Sequence, residues 1–200
     1  MVICVTDRTR CEGDFTQRLH QIAWARPHAV LLREKDLSTE EYEELAVKCK
    51  CICDNLKVML ILHTHVEVAR RAGISRIHLT LKSLEEMAGK LEDFEEVGTS
   101  VHSVDEAIVA QYMGASYLIA GHIYATDCKM GVPARGLEFL RDVCDAVQVP
   151  VFAIGGINRE RIAAVRSCGA SGICVMSGLM RCDDPGGVCK KLVESDASYR

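Results

Sequence analysis

Short apolar runs alternate with amphipathic runs along the whole chain. Residues 2–6, 28–33, 58–62, 76–79, 97–101, 116–120, 150–154 and 171–176 read as strands. Helical spacing covers 15–24, 38 to about 55, 66–72, 83–91, 103–113, 137–147, 158–167 and 185–194. Ser38 with Glu41 three residues on, and Ser103 with Glu106, are capping-box starts, and Asn158 is a third cap. Gly73 and Gly114 are stops. The strands are continuously apolar and do not alternate, which marks a parallel sheet covered on both faces. Strand–helix units repeated eight times predict an α/β fold, a single (β/α)8 TIM barrel over residues 1–200 with 195–200 as a frayed tail. An open doubly wound sheet is the alternative. It is disfavoured because no G-x-G-x-x-G fingerprint follows the first strand.

Composition narrows the partners. Of 200 residues, 48% are hydrophobic and 26% charged, enough for a sizeable core. The net charge of -4 and the lack of a basic block argue against nucleic acid and anionic membrane. No apolar run approaches the ~18 residues of a membrane span. No signal peptide is read after Met1, so a cytoplasmic location is expected. The eleven cysteines are an odd count scattered through strands and helices, and read as reduced thiols. Cys49 and Cys53 share a helical face and Cys51 does not, which speaks against a shared metal.

In a barrel, chemistry lies at the C-terminal strand ends. Those ends carry Thr6-Asp7-Arg8, Arg33-Glu34-Lys35, His63-Thr64-His65, Thr80, Ser100 with His102, His122, Gly155-Gly156, and Met176-Ser177-Gly178. The glycine turns after strands 7 and 8 suit a phosphate. Arg33 and Lys35 fall on one face and suit a second anionic group, while Glu34 between them points away toward a neighbour. His20 and His28 are expected on the surface, and His78 in a packing role inside strand 4. His63 and His65 lack an evident third metal ligand. His122 ends an apolar strand facing the mouth, and an imidazole there can take and return a proton near neutral pH. The loop after strand 6 runs some fifteen residues without structure of its own and carries Thr126, Cys128, Lys129 and Arg135, the pattern of a binding loop.

With these residues in place, the chain resembles the thiamine phosphate synthase and TenI superfamily over nearly its whole length. Thr6-Asp7-Arg8, Leu32-Arg33-Glu34-Lys35, Ala153-Ile154-Gly155-Gly156-Ile157 and Val175-Met176-Ser177 carry the resemblance. The synthase branch holds Mg²⁺ through an Asp in an Ile-Asn-Asp-Arg motif and an Asp in Gly-Gln-x-Asp. Here those stretches are Leu62-His63-Thr64-His65 and Thr80-Leu81-Lys82-Ser83, without either carboxylate. The TenI branch carries Gly-His-x-(aromatic)-x-Thr-Asp-Cys-Lys-x-Gly, and residues 121–131 match it.

The resemblance therefore implies a thiazole tautomerase of thiamine biosynthesis, with His122 as the proton-transfer group and neither metal nor cofactor. It further implies a small thiazole phosphate as substrate. Gly155, Gly156, Met176 and Ser177 would lie at the phosphate, and Arg33 and Lys35 at a carboxylate. Thr126 and Lys129 would close over the ligand, and Ser100 and His102 would stand behind His122. Two alternatives stay open: a thiamine phosphate synthase, and a non-catalytic barrel that binds a thiazole or thiamine phosphate. Self-association into a homo-oligomer is also open, because outer-helix surfaces are not readable from one chain.

Overall fold

The computed structural model describes residues 1–129 and 131–199, so Met130 of the strand 6 loop and Arg200 of the tail lie outside the described residues. Eight strands form a closed parallel barrel in chain order: β1 (Val2–Val5), β2 (Ala29–Leu32), β3 (Met59–His63), β4 (Arg76–Leu79), β5 (Glu96–Val101), β6 (Tyr117–Gly121), β7 (Val151–Ile154) and β8 (Gly172–Val175). The pairing of β8 with β1, Ile3 opposite Cys174, closes the ring. The helices outside it are α1 (Phe15–Trp24), α2 (Thr39–Leu56), α3 (Val66–Ala72), α4 (Leu81–Glu86), α5 (Val104–Tyr112), α6 (Gly136–Ala146), α7 (Ile162–Arg166), α8 (Ser177–Met180) and α9 (Pro185–Ala197). The expected TIM barrel is the observed one. Among the described residues, no helix is long and apolar enough to cross a membrane.

The continuous apolar strands are explained by two cores. Ile3, Val5, Leu31, Ile119 and Phe152 fill the barrel interior. Their strand neighbours Cys4, Val30, Leu32 and Leu118 point outward under the helices. Both faces are therefore dry, and each fully buried Leu or Ile contributes roughly 1.5–3 kcal/mol.

Most helix starts follow their caps. Ser38 and Glu41 form the full reciprocal box, and Ser103 accepts from the backbone of Glu106. Several boundaries differ from expectation, and α4 stops at Glu86 rather than 91. Helix α4 begins at Leu81, because Thr80 takes the cap position and accepts from Ser83 N at 3.1 Å. The segment after Asn158 opens as a 3-10 turn (Arg159–Arg161) before α7. Helix α9 continues to Ala197, past the expected end at 194, because Asp196 is buried against the Met1 amine and Arg166. The loop after β6 also has structure of its own, a 3-10 turn at Asp127–Lys129. All eleven cysteines are free thiols, with Cys49 and Cys53 buried and Cys51 exposed.

Candidate active site

A cavity of about 370 Å³ opens at the C-terminal rim of the barrel. Every residue singled out as a site candidate lines it: Arg33, Lys35, Ser100, His102, His122, Thr126, Lys129, Gly155, Gly156, Met176 and Ser177. The floor is apolar, with Leu31, Ile119, Ile154 and Cys174.

The β2 side is held by a buried carboxylate. Glu34 is 3% exposed. It accepts from Thr6 Oγ1 at 2.6 Å and from the backbone of Arg8 at 2.9 Å. Burial pushes its pKa up, against the pull of those two hydrogen bonds. Thr6 Oγ1 also accepts from Arg33 N at 3.0 Å. The first two loops are thus tied together, and Arg33 and Lys35 are set into the cavity on either side of the knot. Arg33, then desolvation, then Lys129 push the Lys35 ammonium down. Among the described residues none of these three cations has a carboxylate ion-pair partner. The one carboxylate lining the cavity among those residues, Asp7, is committed to Arg10 at 2.8 Å and Thr9 at 2.6 Å.

His122 enters at the end of β6 and is 6% exposed. Gly155 makes room for it. That residue has φ +103°, and a Cβ there would lie 2.3 Å from the His122 Cβ. The ring Nε2 lies 3.2 Å from Val132 O. A carbonyl only accepts, so this contact puts the ring proton on Nε2 and leaves the Nδ1 lone pair open. The strand 6 loop returns to the same place at its far end: Arg135 N donates to His122 O at 3.0 Å and Gly136 N to Ile123 O at 3.0 Å. Arg161 ties this loop to the next, donating to Gly156 O and lying over the Tyr124 ring at 4.3 Å.

Ser100 and His102 do not bond to His122. His102 Nδ1 lies 2.8 Å from Gly121 O, where Arg135 Nε also donates at 3.1 Å. His102 therefore steadies the backbone before His122 rather than its ring. Ser100 bonds to His78 Nε2 at 2.9 Å, and His78 is fully buried. Beyond the packing role expected of it, His78 lines the cavity itself, bonded to Ser100. His63 and His65 diverge. His63 lines the cavity, with its pKa lowered to about 3 by burial, Arg33, Lys35 and His65. His65 stacks on Tyr42 at 3.9 Å. His20 is exposed as expected, whereas His28 is half-buried against Phe152 at 6.2 Å.

The donor set does not fit a magnesium ion. Thr64 occupies the place of one family carboxylate and donates to its own His63 O at 2.7 Å. Thr80 begins the stretch where the second would stand, and caps α4. No group of three His, Cys, Asp or Glu side chains able to hold a metal occurs among the described residues.

Sequence reading missed Arg10, the Val132 carbonyl and the Tyr117–His78 pair. Arg10 follows Thr6-Asp7-Arg8 closely enough to have been included. The other two depend on loop return and strand register, which spacing does not reveal.

Comparison with known proteins agrees with the fold. A family model described as thiamine monophosphate synthase matches residues 2–179. A thiamine-phosphate synthase of Fusobacterium nucleatum is 32% identical over 197 residues, 97% of this chain and 94% of that protein. One from Clostridium acetobutylicum is 35% identical over 182 residues, 88% and 85% respectively. Among solved structures, a thiamine phosphate pyrophosphorylase from Pyrococcus furiosus superposes with TM-score 0.86 at 27% identity, covering 99% of this chain and 96% of that one.

Proposed function

The chain belongs to the thiamine monophosphate synthase and TenI family of thiamine-biosynthesis enzymes, and we propose that its own reaction is the tautomerisation of a carboxythiazole phosphate. The observation that carries this reading is a buried histidine, His122, with Nε2 engaged by Val132 O, in a cavity whose one carboxylate among the described residues is already paired. Such a site can move a proton and offers no acidic cage for a metal.

The substrate has a ring carboxylate at C2, an exocyclic ylidene and a phosphate. Gly155, Gly156 and Ser177 receive the phosphate, where backbone N–H groups can approach closely. Arg33 and Lys35, with Lys129 above, receive the carboxylate. The Nδ1 lone pair of His122 takes the C2 proton, and the electron pair left behind delocalises into the carboxylate and out to the exocyclic carbon. The imidazolium returns the proton to that carbon, which breaks no other bond and leaves an aromatic ring. Val132 O holds the Nε2 proton throughout, and the neighbouring cations stabilise the charge that builds on the carboxylate.

A second reading, thiamine phosphate synthase, is favoured by the names of the relatives, which are synthases. The missing carboxylates at Thr64 and in residues 80–83 stand against it. One protein preparation assayed both ways decides between them. Consumption of the carboxythiazole tautomer without thiamine phosphate formation supports the tautomerase. Clear thiamine phosphate formation from the pyrimidine diphosphate, thiazole phosphate and Mg²⁺ reverses the ranking. Tight binding of the aromatic product with neither turnover would instead make the barrel a binding protein.

A further inference from the structure

Tyr117, His78 and Ser100 form a connected row beneath the cavity. His78 on β4 lies in register with Gly98 on β5, and Gly98 with Tyr117 on β6. A Cβ on Gly98 would fall 2.0 Å from Tyr117 Cζ. The bare position lets the tyrosine ring cross β5 and bring its hydroxyl to 3.1 Å from His78 Nδ1. The other ring nitrogen of His78 lies 2.9 Å from Ser100 Oγ. His78 and Tyr117 are buried, and of the three His78 and Ser100 line the cavity while Tyr117 stands behind them.

Counting protons gives the row a direction. Among the described residues the Tyr117 hydroxyl has His78 as its hydrogen-bond partner and no other. Were the ring proton on Nδ1, the tyrosine proton would be left without an acceptor beside the Phe152 ring, a costly arrangement in a core. Tyr117 therefore donates to Nδ1, and a neutral imidazole then carries its proton on Nε2. Burial, followed by His63 and Arg33, lowers the His78 pKa to about 3, so the ring is neutral at physiological pH. Nε2–H donates to Ser100 Oγ. The serine's own proton has no protein acceptor among the described residues.

We infer that Tyr117 and His78 are positioning residues that fix the Ser100 hydroxyl as a hydrogen-bond donor to an acceptor atom of the ligand, a ring nitrogen or carboxylate oxygen. Only the identity of that ligand rests on the proposed function. The opposite polarity would make Ser100 an acceptor and select a ligand with a donor there. In the tautomerase reading a donor aimed at the carboxylate strengthens as charge builds on it.

The test combines ¹⁵N NMR of the histidine rings with binding of two probes, the aromatic carboxythiazole phosphate and inorganic phosphate. In the wild-type protein His78 is expected as the Nε2–H tautomer at neutral pH. Tyr117→Phe should mix the tautomers and weaken carboxythiazole phosphate binding roughly tenfold, the size of one neutral hydrogen bond, with inorganic phosphate unchanged. His78→Leu should show the same loss. His78→Gln should bind within about twofold of wild type, because its amide oxygen accepts from Tyr117 and its N–H serves Ser100. An Nδ1–H tautomer in the wild type overturns the relay whatever the ligand is. So does unchanged binding in a folded Tyr117→Phe protein, or a Gln variant no better than Leu. If wild type does not bind the carboxythiazole phosphate, the functional reading fails and the nitrogen spectrum alone decides the relay.

Discussion

On the β2 side of the cavity, Arg33 and Lys35 stand with Lys129 and have no carboxylate partner among the described residues. On the β4–β6 side, His78, Tyr117 and Ser100 are neutral and already bonded to one another. The cationic wall is incomplete without a ligand: clustered like charges are unfavourable until an anion arrives. The neutral wall is complete except for one hydroxyl proton, and so sets orientation rather than attraction. His122 lies between them and shares a loop with Lys129. The contrast separates holding, aiming and proton transfer into three groups of residues, and each can be broken alone.

The largest effect is expected at the point between the walls. His122→Ala should lower turnover of the carboxythiazole tautomer by roughly 10²–10⁴-fold, the usual weight of a positioned acid–base group. Binding of the aromatic product, measured by calorimetry, should stay nearly intact. Breaking the cationic wall comes next. Arg33→Ala and Lys35→Ala should each cost about 1.5–3 kcal/mol in binding the carboxylated thiazole phosphate, as for hydrogen bonds to charged groups. The same variants should bind the decarboxylated thiazole phosphate nearly normally. Equal losses for both ligands would show that these cations do not read the carboxylate.

The neutral wall, with His63 of β3 beside it, should instead reveal itself in stability. His63 and His78 have folded pKa values lowered to about 3, below the ordinary value near ~6.5. Between those limits the unfolded chain binds more protons, so stability is full above about pH 6.5 and falls as pH drops toward 3. Each histidine adds at most about 1.4 kcal/mol per pH unit to that slope. Urea unfolding of His78→Gln between pH 7 and 5 should show a shallower loss than wild type. The smallest effect is a control away from both walls. Lys82 pairs with Glu86 at 3.8 Å on an exposed helix face, and Lys82→Ala should change stability by less than about 0.5 kcal/mol.

The same division runs through what could be read from the chain. Arg33, Glu34 and Lys35 lie just past the end of β2 at Leu32, and the strand period carried over them separates Glu34, the buried clamp, from the two cations that line the cavity. Gly155 and Gly156 announced a tight turn at a strand end. The β4–β6 wall was not legible, because Tyr117 meets His78 only through the register of three strands and the empty place at Gly98. Nearness of strand ends sets Ser100 and His102 behind His122, whereas the bonds go to His78 and to Gly121 O. Thr80 reads from the sequence as a strand end, and its hydroxyl also starts the next helix, moving α4 forward. Periodicity found the elements, caps found most boundaries, and side-chain partners across strands required coordinates.

The proposed tautomerisation turns on His122 moving a proton. Proton NMR of the carboxythiazole tautomer in D₂O, with wild-type protein and with His122→Asn, tests this most directly. Wild type should give rapid loss of the C2 proton and growth of aromatic thiazole signals, and the variant the uncatalysed rate. Equal rates for the two proteins would contradict the proposal.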